Sequence, residues 1–213
     1  MGPITFTLAG VLVAILVIVL MQLFKKQPAP PVAPVEDLAN LQPSQARAGD
    51  VISVAGAGDN MSDLDFNSDR CTWFQAGAHN WFELSGTYHE RRVAMRVDAS
   101  GDTPVVRIST DAHQPTLEDL GLSEDDLAQM DERQNTADDF NFDDKSWNYR
   151  LSREVQSTRS DQPQPVGFYY WEFLEQNGPG LLSLRKEQSE PFAVTRFRTI
   201  PASDVTIYRG KKS

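Results

Sequence analysis

The sequence predicts a mainly β protein: a duplicated antiparallel β sandwich or partly open barrel with a short acidic helical insertion, preceded by one N-terminal transmembrane helix. Three observations carry this. From Gly49 onward, short runs rich in β-branched and aromatic residues are separated by Gly, Asn, Asp and Pro clusters, the pattern of strands and turns. Residues Ile4 to Phe24 form a charge-free apolar run, long enough at ~1.5 Å per residue to cross a hydrocarbon layer of ~30 Å. The segment Asp65-Phe66-Asn67-Ser68-Asp69-Arg70-Cys71-Thr72-Trp73 aligns without gaps on Asp139-Phe140-Asn141-Phe142-Asp143-Asp144-Lys145-Ser146-Trp147.

The elements follow in order. Residues 1–26 read as a membrane anchor, because no Lys or Arg precedes the apolar run whereas Lys25 and Lys26 close it. Positive charge on that side places the C-terminal domain in the cytoplasm, at the inner membrane of a single-pass protein that contacts lipid through residues 4–24. A cleaved secretory signal would carry its charge at the other end. Residues 27–44 read as a linker, with Pro28, Pro30, Pro31, Pro34 and Pro43 favouring an extended, semi-rigid spacer. The remaining 45–213 form one soluble β domain of two related halves, about 45–110 and 139–209.

Ten strands are predicted within it: 51–54, 71–75, 81–88, 92–98, 105–109, 147–155, 168–175, 181–187, 192–199 and 205–208. Alternation puts Val93, Met95 and Val97 on a buried face and Arg92, Ala94, Arg96 and Asp98 on a wet one; it groups Trp147, Tyr149 and Leu151 in the same way. The segment from Glu175 to Gly180 reads as a hairpin turn. Trp81-Phe82-Glu83-Leu84 answers Trp171-Glu172-Phe173-Leu174 in the second half. Between the halves, 115–134 reads as the helical insertion, with Thr116 and Ser123 as N-caps of acidic first turns.

Composition narrows the function classes. The formal net charge of −10 argues against nucleic-acid binding, which needs clustered basic residues. A single cysteine, Cys71, excludes an internal disulfide framework. As a nucleophile it would need His79 or His89 beside it, and neither hydrolase nor zinc-enzyme spacing occurs, for His113 included, so the chain is read as a non-enzyme with no cofactor. Both copies of the repeat hold an Asp-x-Asn-x-Asp core, Asp65, Asn67, Asp69 and Asp139, Asn141, Asp143, whose alternate oxygens make them metal candidates. The calcium-loop glycine and terminal glutamate are missing, and turn formation is the competing role. Acidic residues Glu118, Asp119, Glu124, Asp125, Asp126, Asp131 and Glu132 offer a partner surface for a protein or a polyamine, or are a solvated face.

Several motifs together resemble a bacterial family, the domain of unknown function 4178 family. They are Gly49-Asp50-Val51, Trp81-Phe82-Glu83-Leu84, the block from Tyr170 to Leu174, Leu182-Ser183-Leu184, and the terminal stretch from Ile200 to Ile207. The resemblance covers about Gln45 to Tyr208 and transfers no catalytic residue. It implies a membrane-stress or polyamine setting. The expected function is a membrane-anchored cytoplasmic β module that recruits or senses a protein partner in a bacterial envelope-stress system; the alternative is an accessory domain binding a polyamine or divalent cation.

Overall fold

The computed structural model describes residues 40–210 except 100, 102 and 111–113. The expected membrane span at 4–24, most of the expected linker and His113 lie outside the described residues. Among the described residues, no helix is long and apolar enough to cross a membrane.

Eleven strands form one antiparallel sheet: β1 (Val51–Val54), β2 (Leu64–Ala76), β3 (His79–Tyr88), β4 (Arg91–Asp98), β5 (Val105–Ser109), β6 (Asp139–Phe142), β7 (Lys145–Arg159), β8 (Gln162–Glu175), β9 (Gly180–Lys186), β10 (Ala193–Ile200) and β11 (Val205–Tyr208). All ten predicted strands are present. The sheet runs β11-β1-β2-β3-β4-β5-β10-β9-β8-β7-β6, and a further pairing of β2 with β7 closes it. The result is an eight-stranded antiparallel barrel, β2-β3-β4-β5-β10-β9-β8-β7, so the barrel expectation holds and the ring is closed rather than partly open.

Two long strands make closure possible. The N-terminal part of β2 pairs with β1 (Val51↔Asn67, Val54↔Leu64), and its C-terminal part pairs with β7 (Thr72↔Arg159, Gln75↔Gln156). Likewise β7 pairs first with β6 and then with β2. A bulge between Ser68 and Arg70 bends β2 between these two tasks. At this bend Gly86 of β3 is needed for close approach, because a Cβ there would lie 2.2 Å from the Asn67 carbonyl oxygen.

Each half is thus a five-stranded meander, β1–β5 and β6–β10. The gapless repeat is not an equivalence of position, however. Asp65 to Trp73 lies within one continuous strand, whereas Asp139 to Trp147 folds as the β6–β7 hairpin with Asp143 and Asp144 at φ 54° and 56° in its two-residue turn.

Apolar side chains outside the ring form two cores under separate covers. Over the first half, β1, β11 and residues 41–46 cover Leu84, Val93, Met95, Val97, Val106 and Ile108. Leu41 and Pro43 are buried there. Asp50 fastens this cover. It is buried, accepts from Arg47 N and Gly210 N, and pairs with Arg209 at 2.6 Å.

Over the second half lies the helix α1 (Glu124–Arg133), shorter than the predicted insertion at 115–134. Ser123 caps it as predicted, in a reciprocal box with Asp126. Leu127 and Met130, one turn apart, pack on Trp171, Phe173, Leu182 and Leu184. Trp171 Nε1 donates to the Leu127 carbonyl at 3.2 Å.

Candidate functional site

The barrel bore is where the chain concentrates charge. Register puts Trp81, Glu83, Arg96, Asp98 and Arg107 on one face of β3–β5, since Trp81 opposes Asp98, Glu83 opposes Arg96, and Arg96 opposes Arg107. Tyr170 and Glu172 of β8 and Arg185 of β9 share the corresponding face of the other half. In the ring, β4 and β8 are four strands apart in either direction, as are β3 and β9. Side chains from these opposed strands nevertheless touch. Arg96 Nη2 lies 3.1 Å from Glu172 Oε1, and Arg185 Nη2 donates to both Glu83 oxygens at 2.6 and 2.7 Å. Contact across the diameter identifies this face as the inside.

Aromatic rings pack around the crossed pairs. Arg96 stands over the Trp81 ring at 4.4 Å and donates to the Tyr170 hydroxyl at 2.7 Å. Arg185 stands over Phe74 at 4.5 Å, and Phe74 stacks on Trp81 at 5.1 Å. Both Arg96 and Glu172 are 0% exposed. Burial opposes the Arg96 charge, but Tyr170 and Glu172 outweigh it and hold the guanidinium above its ordinary range. Burial also pushes the Tyr170 hydroxyl up, so it stays protonated. Arg150, carried inward at the β7 bulge between Tyr149 and Leu151, reaches Glu172 Oε1 at 3.4 Å. His79 lies 3.1 Å from Asp98, and burial lowers its pKa against the pull of that carboxylate.

These positions correct the wet face expected on β4: Arg96 and Asp98 are buried in the bore. They also correct the grouping on β7, where the bulge sends Trp147 and Tyr149 under the helix and Leu151 toward the bore core. Pairing of the Trp81 and Trp171 motifs is off by one residue. It is Tyr170-x-Glu172 that faces inward like Trp81-x-Glu83, while Trp171 packs under α1. That recurrence, an aromatic and a glutamate two apart on one strand face, was the available signal for the bore network.

A second feature lies outside the ring, at the margin of the first cover. Register aligns Thr158, Trp73, Phe82 and Val97 in one row across β7, β2, β3 and β4, and Gln156, Gln75 and Asn80 in the row beside it. With Ala99 and Pro165 these rows line a groove of about 540 Å³. Its most prominent side chain is Trp73, 49% exposed, whereas Trp81, Trp147, Tyr170 and Trp171 are buried.

The metal candidates do not converge. Asp65, Asn67 and Asp69 are exposed alternate positions on β2, on the face opposite the first apolar core, where the ~3.3 Å rise per residue spaces alternate side chains by about 6.6 Å. Asp69 is held by Arg92, which lowers its pKa through a hydrogen bond. In the second copy Asp139 accepts from Ser146 Oγ at 3.2 Å, Asn141 is exposed on β6, and Asp143 in the turn pairs with Arg196. Among the described residues no group of three His, Cys, Asp or Glu side chains could hold a metal ion.

Three of the acidic surface candidates serve the fold. Asp119 accepts from Thr116, Asp126 from Ser123, and Asp131 from Ser152, Tyr169 and Gln134. Glu124 lies 3.8 Å from Lys186. Glu118, Asp125 and Glu132 are exposed. Cys71 is buried, and burial pushes its thiol up to about 12, which leaves no thiolate at neutral pH. His89 sits in the β3–β4 turn at φ 43°. Comparison with known protein families, curated proteins and solved structures finds no match for this chain.

Proposed function

We propose that the chain is a single-pass, membrane-tethered β-barrel module on the cytoplasmic face that recruits a protein partner and performs no catalysis. The observation that carries this reading is the outer groove at the margin of the first cover. The exposed Trp73 and half-buried Phe82 beside the amide row of Gln75, Asn80 and Gln156 suit an extended segment of a partner, whose apolar side chains would lie on the rings while its backbone meets the amides. The two five-stranded meanders support reading the domain as a duplicated unit, and the charge pattern around residues 4–26 supports the tether. Resemblance to the domain of unknown function 4178 family supports an envelope-stress setting.

The test is affinity capture with the detergent-solubilised full chain, comparing wild type with Trp73→Ala and with the triple variant Glu118→Lys, Asp125→Lys, Glu132→Lys. Trp73→Ala should reduce retention of a specific partner at least tenfold, since truncating an interface aromatic anchor commonly costs about 2 kcal/mol or more. Retention unchanged in Trp73→Ala removes the groove from the reading. Loss in the acidic triple variant alone, with saturable spermidine binding to the wild type, would favour the polyamine-binding alternative, for which the exposed Glu118, Asp125 and Glu132 are the supporting observation.

A further inference from the structure

The bore network is not balanced around Arg107. Its side chain, 8% exposed, projects from the middle of β5 beside Arg96, with Arg150, Glu172 and Asp98 as the other charged groups that act on it. Glu172 is shared by Arg96 and Arg150 at 3.1 and 3.4 Å, and Asp98 faces His79. With the Arg185–Glu83 pair included, four guanidinium groups, those of Arg96, Arg107, Arg150 and Arg185, stand against three carboxylates, Glu83, Asp98 and Glu172. Arg107 Nε and Nη1 are buried and have no hydrogen-bond partner among the described residues. An unpaired buried cation is among the most costly features a core can hold, and here a second guanidinium lies directly opposite on the neighbouring strand. Burial and the Arg96 charge both lower the Arg107 pKa, in keeping with a site that disfavours its own cation.

We propose that the bore binds a small oxyanion, a carboxylate or phosphate group, on Arg107. The anion supplies the counter-charge that Arg107 lacks: its oxygens accept from the guanidinium, and its charge relieves the repulsion between Arg107 and Arg96. Guanidinium donors match carboxylate and phosphate oxygens better than they match chloride, which sets the selectivity. Recognition of this kind is independent of the outer groove and of any partner there.

Thermal unfolding and calorimetric titration of the full chain in detergent test this, with sodium phosphate and sodium acetate as probes against sodium chloride at equal ionic strength. A 1:1 saturable heat is expected with at least one oxyanion and none with chloride. At roughly five times the dissociation constant, the unfolding midpoint should rise by about 2–4 °C for a domain of this size. A response to acetate alone assigns a carboxylate ligand, and one to phosphate alone a phosphorylated one. Arg107→Met should abolish the response while leaving the protein at least as stable in chloride, because it removes an unpaired charge. Arg107→Lys, which keeps the charge, should bind at least tenfold more weakly. The proposal is overturned if the wild type gives no saturable heat with either oxyanion, or if the midpoint shift persists unchanged in Arg107→Met or Arg107→Lys.

Discussion

The inside and the outside of this barrel exchange their usual roles. The bore holds crossed ion pairs, Arg96 with Glu172 and Arg185 with Glu83, set in a small aromatic cluster, whereas the two larger apolar cores lie outside the ring beneath β1, β11 and α1. Both regions are buried, but they are stabilised differently. Under the covers, burial removes apolar area from water and tolerates imperfect geometry. In the bore, charges must meet their counterparts or the desolvation cost is left uncompensated. Alternation along a strand therefore distinguishes two faces without saying which one is solvated.

The largest effect should come from breaking a bore pair. Arg96→Met leaves the buried Glu172 with Arg150, at 3.4 Å, as its remaining ion pair among the described residues and should cost about 3–5 kcal/mol in chemical denaturation. Adding Glu172→Leu should recover much of that loss, because two apolar side chains replace the pair. If the double variant loses as much as the sum of both singles, the bore charges do not act as a coupled unit. Next in size is Leu127→Ala under the second cover, expected to cost about 2–5 kcal/mol by opening a cavity. Since this cover lies outside the ring, its cost should add to that of Arg96→Met within about 0.5 kcal/mol; a larger interaction energy would show that the regions share their packing.

The smallest effect concerns pH. His79 has a folded-state pKa below its ordinary 6.5, so in that window the unfolded chain takes up the proton first. Stability from this group is present above 6.5 and is lost as pH falls toward the folded value. His79→Gln should therefore flatten the decline of stability with acidification below pH 6.5. An unchanged slope would place the acid sensitivity in the carboxylates instead.

Much of the barrel was legible because strand signals are local. Val51–Val54, Val105–Ser109 and Val205–Tyr208 were read to the residue, and Ser123 marked its helix correctly. Strand β6 escaped because Asp139-Phe140-Asn141-Phe142 alternates over only four residues and resembled a turn. The reach of β2 back to Leu64 escaped because Asp65, Asn67 and Asp69, poor strand formers, fill its exposed face while Leu64 and Phe66 fill the buried one. The bore network was hidden for a different reason. Arg96 meets Glu172 only after the ring closes, and no spacing along the chain encodes a contact across a diameter. Trp73 ends the first copy of the repeat, yet its exposure depends on where the covers end, which is a property of the assembled fold.

Closure of the ring also shapes how the chain can reach this structure. Every neighbouring pair of strands is consecutive in sequence except three: β2 with β7, β5 with β10, and β1 with β11. The two seams that close the barrel join residues more than eighty positions apart. Loop-closure entropy is concentrated there, while each meander can grow by hairpins of low contact order. The crossed pairs and the seams depend on the same event, because Arg96 and Arg185 find their carboxylates only once both halves have met. Until then four charged side chains stay hydrated on open sheets, which opposes premature collapse of either half and ties commitment to the native ring to a single late step.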